Sequence, residues 1–65
     1  MAHIDEYERL ERAAERWAER EQLEDSNAEE EAVADWFDGV QAVADVAMAE
    51  AGFHKHRGQW RRKRG

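Results

Sequence analysis

Residues 25–31, which read Asp-Ser-Asn-Ala-Glu-Glu-Glu, decide how this chain is divided. Serine and asparagine side chains accept hydrogen bonds from the unpaired amides of a helix's first turn. Ser26 with Glu29 would form a capping box, as would the pair one residue further on. The glutamates lie where the helix dipole favours negative charge. The stretch therefore predicts a turn at residues 25–27 and a new helix from Ala28.

Upstream of this turn, apolar side chains recur every three or four residues. This spacing places them on one side of a helix, with glutamate and arginine on the other side. The stripe contains Tyr7, Leu10, Ala14, Trp17 and Ala18. The pattern fades shortly before the turn, so we predict a first helix over about residues 4–24.

Downstream of the turn, the apolar positions form a broader face. They include Val33, Trp36, Phe37, Val40, Val43, Ala44 and Ala47. This pattern predicts a second helix over about residues 28–51 that has neighbours on more than one side. Gly39 lies within it, and close approach of another helix would explain a residue that costs a helix about 1 kcal/mol relative to alanine. Gly52 is the expected C-terminal cap.

The predicted fold class is all-α: an antiparallel two-helix hairpin, because the connection between the helices is short. Two helices enclose no interior, and ordering a chain costs roughly 1.5 kcal/mol per residue. The 65 residues include no cysteine, so disulfides cannot supply the stabilisation that a two-helix hairpin lacks. We therefore predict a homodimer or higher oligomer, in which the hairpins form a four-helix bundle.

The predicted interface and core consist of Tyr7, Leu10, Trp17, Val33, Trp36, Phe37, Val40, Val43 and Ala47. A second arrangement stays open. In that alternative the chain is a monomer of three elements, and Phe53 and Trp60 fold back to close the open face of the hairpin.

The charge of the chain is divided at Gly52. Residues 1–51 contain all 16 acidic side chains and four of the 10 lysines and arginines, a balance of −12. Residues 52–65 contain the other six cationic side chains and no acid, a balance of +6. We therefore divide the chain into a helical body, residues 1–52, and a basic tail without regular structure, residues 53–65.

This tail is typical of a segment that meets a polyanion. We predict that it binds nucleic acid, with Trp60 and Phe53 stacking on exposed bases. RNA or single strands are favoured over sequence-specific duplex DNA, because both predicted helices are acidic and neither offers a basic recognition face. The predicted binding residues are Lys55, Arg57, Trp60, Arg61, Arg62, Lys63 and Arg64. The alternative is a structural or adaptor module whose tail packs on its own acidic body, on a protein partner or on anionic lipid.

No catalytic motif is present, and we predict neither an enzyme, nor a cofactor, nor a small-molecule substrate. His54 and His56, with His3 near the other end of the hairpin, are the candidate metal ligands, but we predict no metal site. The chain has no stretch long and apolar enough to span a membrane and no apolar leader, so we expect a cytoplasmic protein.

The last part of the chain reads Ala-Gly-Phe-His-Lys-His-Arg-Gly-Gln-Trp-Arg-Arg-Lys-Arg over residues 51–64. It resembles the C-termini of small uncharacterised bacterial proteins, in which Gly-aromatic-His-x-His is followed by Trp-Arg and further basic residues. The resemblance covers about 14 residues and implies that the tail is a defined element; no function is attached to it.

Overall fold

The computed structural model describes residues 2–62, and the surroundings of side chains from residue 6 onward. The elements in chain order are α1 (Ala2–Glu21), β1 (Ala28–Glu29), α2 (Glu30–Trp36), α3 (Gln41–Glu50), β2 (Phe53–His56) and β3 (Gln59–Arg62). The strands form one antiparallel sheet in the order β1-β3-β2. The prediction of an all-α two-helix hairpin is therefore wrong.

The first helix is confirmed in type and position, and it ends at Glu21, three residues earlier than predicted. Gln22 has a left-handed backbone, with φ of 56°, which stops the helix. The Ser26 hydroxyl donates to the carbonyl oxygen of Gln22 at 3.2 Å. The predicted capping box is wrong, because Ser26 bonds the end of α1 and the N-cap of α2 is Glu29, without a side-chain hydrogen bond.

The predicted second helix is interrupted at residues 37–40. Asp38 and Gly39 both have positive φ, 58° and 75°, and the Gly39 amide donates to the carbonyl oxygen of Ala34 at 2.8 Å. A Cβ at Gly39 would meet nothing within 4 Å, so our explanation by close helix packing is wrong. Glycine is needed for the backbone conformation instead. The result is a helix–turn–helix made of α2 and α3.

The predicted unstructured tail is a β-hairpin. Strands β2 and β3 are joined by Arg57 and Gly58, whose φ values of 53° and 76° are those of the two-residue turn that suits strand twist. Strand β1 pairs with the other side of β3, and the Glu30 amide donates to the carbonyl oxygen of Gly58 at 2.8 Å. The sheet thus ties the chain on both sides of the helix–turn–helix together.

Gly52 is confirmed as the residue that ends the last helix. It follows the C-cap Ala51, has φ of 92°, and its amide donates to the carbonyl oxygen of Ala49 at 3.1 Å. Glycine adopts this conformation without a Cβ clash. The position at which the charge changes sign is therefore the start of the β-hairpin, and it is not the edge of the folded structure.

One apolar core joins all these elements. Its buried side chains are Ala14, Ala18, Leu23, Ala28, Val33, Ala34, Phe37, Ala44, Ala47, Met48, Phe53 and Trp60. The sheet packs on α2 and α3, and Phe53 and Trp60 fold back into the core as the open alternative placed them. The predicted four-helix bundle is wrong, since its second helix is broken and the chain encloses a core of its own.

The predicted interface residues divide into three groups. Val33, Phe37 and Ala47 are buried in the core. Leu10, Trp17 and Trp36 are partly buried against it, and the two indoles stack with ring centroids 5.3 Å apart. Tyr7, Val40 and Val43 are exposed. Self-association stays a prediction, although the lack of an interior no longer supports it. Within residues 2–62, no helix combines the length and apolar character that crossing a membrane requires.

Candidate nucleic-acid interface

The β-hairpin has two faces of different character, because successive side chains of a strand point to opposite sides. Cross-strand partners share a face, and the register pairs Phe53 with Arg62, His54 with Arg61, Lys55 with Trp60 and His56 with Gln59. We call Phe53, Lys55, Trp60 and Arg62 the inner face, since its aromatic rings are buried. The outer face consists of His54, His56, Gln59 and Arg61.

The inner face is aromatic and lies in the core. Phe53 and Trp60 are each 4% exposed. The Lys55 ammonium lies 5.6 Å from the Trp60 ring centroid, and the Arg62 guanidinium lies 5.3 Å from that of Phe53. Neither ring presents a face to a nucleic-acid base, so the prediction that they stack on bases is not supported. The Trp60 indole nitrogen is buried and has no hydrogen-bond partner among the described residues.

Lys55 binds the acidic body of its own chain. Its Nζ lies 3.2 Å from Glu30 Oε2 and 3.3 Å from Asp45 Oδ1. The hydrogen bonds to Glu30 and then to Asp45 raise the pKa of Lys55 above its ordinary value of 10.5. This predicted nucleic-acid contact instead ties β2 to α2 and α3, which is what the alternative of a tail on its own body expects.

Arg62 shows a weaker form of the same behaviour. Its Nε lies 3.7 Å from Glu24 Oε1, and both side chains are largely exposed. Exposed pairs of this kind contribute about 0–1 kcal/mol, so Arg62 can leave Glu24 at little cost. Beside it lies a groove of about 670 Å³ between residues 23–27 and the end of the β-hairpin. Glu24 and Asp25 line this groove together with His54, Arg61 and Arg62, so it contains side chains of both signs of charge.

The outer face is polar, cationic and exposed. His54, His56 and Arg61 are exposed, as is Arg57 in the turn. Neither arginine forms an ion pair with any of the described side chains. We call His54, His56, Arg57 and Arg61 the outer cationic surface. Lys63 and Arg64, the other predicted binding residues, lie outside the described part of the chain.

Gln59, the uncharged residue of the outer face, links β3 to the chain around β1 through two hydrogen bonds. Its Nε2 donates to Glu29 Oε1 at 2.8 Å, and its Oε1 accepts from Asn27 Nδ2 at 3.2 Å. Glu29 is the acidic residue of β1 next to this surface, and its carboxylate is held by the Gln59 amide. The carboxylate therefore lies beside β3, the strand that contains Arg61, at the β1 edge of the outer face.

The candidate metal ligands are only partly brought together. His54 and His56 lie on the same face of β2. His3 lies within α1, and its side chain is outside the described part of the structure. No group of three or more histidine or carboxylate side chains suited to a metal ion was found among the described residues.

The comparisons with known proteins add no assignment. No protein-family model, curated protein or solved structure matches this chain. The outer cationic surface is thus characterised by its geometry and charge. The sequence prediction contained its arginines but treated the two histidines only as candidate metal ligands. A two-residue turn at Arg57-Gly58 fixes the pairing of the strands, and the alternation of side chains along each strand then separates the two faces.

Proposed function

We propose that this protein binds the phosphate backbone of nucleic acid through the outer cationic surface of its β-hairpin. One observation carries the proposal: Arg61 on the outer face and Arg57 in the adjoining turn are exposed, and neither is paired with a carboxylate of the described residues. Guanidinium groups bind phosphate oxygens strongly, since their donors match the phosphate geometry. The two imidazoles beside them add hydrogen-bond donors.

The helix–turn–helix does not offer a better surface. In DNA-binding proteins of this kind the second helix enters the major groove and the first crosses the backbone. Here α2 and α3 contain no lysine or arginine, and their charged side chains are carboxylates. A phosphate backbone would be repelled by them. The β-hairpin is the cationic element, and a two-stranded ribbon of this size can enter a groove or lie along a backbone.

The burial of Trp60 and Phe53 changes the expected mode of binding. Base stacking was one reason to favour single strands, and it needs exposed rings. Without them, the described contacts are those of arginine with phosphate, which carry no sequence information by themselves. We therefore propose backbone binding without base readout, in the cytoplasm, and the test compares duplex with single-stranded probes.

The experiment measures the affinity of the full-length protein for labelled duplex DNA, single-stranded DNA and RNA over a range of salt concentrations. The slope of log K against log salt is about −0.9 per phosphate contact on duplex DNA. The R57Q/R61Q variant should bind more weakly, with a slope smaller by about 1.8. The matched control is R9Q/R16Q, which removes the same charge from exposed positions of α1.

Two results would contradict the proposal. The first is the absence of salt-dependent binding by the unaltered protein to any of the three probes. The second is an equal loss in R9Q/R16Q and R57Q/R61Q, because overall charge and not the outer cationic surface would then decide affinity. If the duplex bound most weakly at every salt concentration, the prediction from sequence that RNA or single strands are favoured would be supported.

A further inference from the structure

Strand β2 lies at the edge of the sheet, and its free side has no strand partner among the described residues. The strand order is β1-β3-β2, so β3 pairs with both other strands and β2 pairs with β3 alone. No other backbone hydrogen bond of the described residues uses an atom of Phe53–His56. His54 and His56 lie on this strand, and both are exposed. An exposed edge strand is a template for pairing with another chain.

The hydrogen-bond pattern of the sheet shows which residue of β2 presents its backbone groups to the free edge. The Glu30 amide donates to the carbonyl oxygen of Gly58, just before β3, so the even-numbered residues of β3 face β1. Residues that face one neighbouring strand alternate with residues that face the other. The odd-numbered residues of β3 therefore bond their partners His54 and His56. The amide and the carbonyl of Lys55, between them, point away from the sheet.

The two imidazoles of β2 supply two of the four ligands that a zinc ion takes. His54 and His56 lie on the same face of the strand, about 6–7 Å apart between Cα atoms at the rise of an extended chain. Zn²⁺ binds imidazole nitrogen and prefers four ligands in a tetrahedron. The described part of one chain contains no group of three or more histidine or carboxylate side chains suited to a metal ion. The remaining ligands must therefore come from another molecule.

We propose that β2 pairs with β2 of a second copy of this chain and that the four histidines of the two strands bind one Zn²⁺ ion. In antiparallel pairing centred on Lys55, the Lys55 residues of the two copies exchange the backbone hydrogen bonds that are free in one chain. His54 of each copy then lies opposite His56 of the other, about 4.5 Å away between Cα atoms, because these are the closer, non-hydrogen-bonded pairs. The four imidazoles share one face, and neither copy completes the site alone.

The charges on β2 permit this pairing. The Lys55 side chain belongs to the inner face, opposite the histidines, and its ammonium is paired with Glu30 and Asp45 of its own chain. The two lysines at the centre of the new ladder are thus each neutralised within their own copy. Arg61 is the cross-strand neighbour of His54 on the outer face, and its charge opposes a metal ion there. The site was not predicted from the sequence, because the free edge of β2 was not recognised, and it does not depend on nucleic-acid binding.

Sedimentation of the full-length protein with Zn²⁺ or with EDTA tests the association. Zn²⁺ should convert the protein to a dimer that contains one ion for two chains, and EDTA should reverse the change. H54Q/H56Q should abolish both zinc binding and zinc-dependent association. H3Q removes the remaining histidine of the chain and is the matched control, which should keep both. Thermal unfolding in EDTA verifies that the variants are folded.

Amide hydrogen exchange separates strand pairing from cross-linking by the metal alone. On addition of Zn²⁺, the Lys55 amide should exchange at least about tenfold more slowly, because it gains a partner, whereas the amides of His54 and His56 are already bonded to β3 and should change much less. R61Q should bind zinc more tightly than the unaltered protein, since a like charge is removed.

Three results would overturn the proposal. The first is that Zn²⁺ causes no association of the full-length protein, whether or not a single chain binds the ion. The second is that H3Q loses zinc-dependent association as completely as H54Q/H56Q. The third is a zinc-dependent dimer in which the Lys55 amide stays unprotected, because the two copies would then be joined without pairing of β2.

Discussion

The two faces of the β-hairpin come from the same ten residues, but one stabilises the fold and the other is exposed to ligands. On the inner face, cations lie over aromatic rings in the core, and Lys55 pairs with carboxylates of α2 and α3. On the outer face, Arg61 and two histidines are exposed, and the arginine has no carboxylate partner among the described side chains. Strand alternation decides which of these neighbouring cations stabilise the fold and which can meet a ligand.

This difference shows what a net charge conceals. A balance of +6 in the last 14 residues suggests six equivalent contacts with a polyanion. In the structure, Lys55 is committed to the protein's own body, Arg62 is loosely paired, and Arg57 and Arg61 are available. The number of cations that a charge-rich β-hairpin offers to a ligand therefore depends on the face that each one occupies, and the net charge does not give it. The following predictions test that division, in order of decreasing effect.

The largest effect is expected at the centre of the inner face. Trp60→Ala removes a buried indole and should destabilise the protein by about 3–5 kcal/mol, measured by urea unfolding. Trp60→Phe should cost clearly less, because it keeps an aromatic ring and removes the buried N–H that lacks a partner. On the outer face, Arg61→Ala should change stability by no more than about 0.5 kcal/mol. Similar losses of stability in Trp60→Ala and Arg61→Ala would contradict the different roles assigned to the two faces.

A smaller effect, which depends on pH, is expected at Lys55. Its hydrogen bonds to Glu30 and Asp45 raise its pKa in the folded chain above 10.5. The stabilisation is therefore complete below pH 10.5 and is lost as the pH rises through the folded-state pKa. Thermal unfolding should show Lys55→Gln melting below the unaltered protein at neutral pH and approaching it at high pH.

Lys55→Arg is the matched control for this measurement. Arginine keeps its charge throughout this pH range, so the variant should stay above Lys55→Gln even at high pH. The account of the inner face would be contradicted if Lys55→Gln melted like the unaltered protein at neutral pH. Nucleic-acid affinity at neutral pH should fall less in Lys55→Gln than in Arg61→Gln, although each removes one charge.

The smallest effect on stability is expected at the turn, where the substitution should stabilise the protein. Arg57 has φ of 53°, a conformation that asparagine adopts more readily, and Asn-Gly is the favoured pair for such a turn. Arg57→Asn should therefore stabilise the protein by roughly 0.5–1 kcal/mol. It should also weaken nucleic-acid binding, because it removes a cation. A variant that lost stability, or kept full affinity, would show that Arg57 serves the fold.

Some of this structure could be predicted from sequence because it depends on local signals. The periodicity around Leu10, Ala14 and Trp17 defines α1, and Gly52 marks the end of the last helix. The break at Asp38-Gly39 was missed because the apolar spacing continues across it, from Val33 through Phe37 to Ala44. Asp-Gly is a turn signal, but a continuous helical period outweighed it in the prediction.

The β-hairpin was missed for a different reason. Each strand contributes one core residue, Phe53 or Trp60, and the other positions are polar on both faces. Such strands show too little alternation of apolar and polar residues to be recognised. Strand β1 has two residues, and it exists only because β3 is beside it. The outer cationic surface could therefore be predicted in composition but not in arrangement, since its division depends on that register.

The central claim is that nucleic acid meets the outer face of the β-hairpin, and an NMR titration tests it most directly. Labelled full-length protein is titrated with a short DNA duplex, and the arginine Nε–H and histidine ring signals are followed. The account predicts that Arg57, Arg61, His54 and His56 shift first and furthest, while the backbone signals of α3 stay in place. Shifts concentrated in Gln41–Glu50, with the outer cationic surface unchanged, would contradict it.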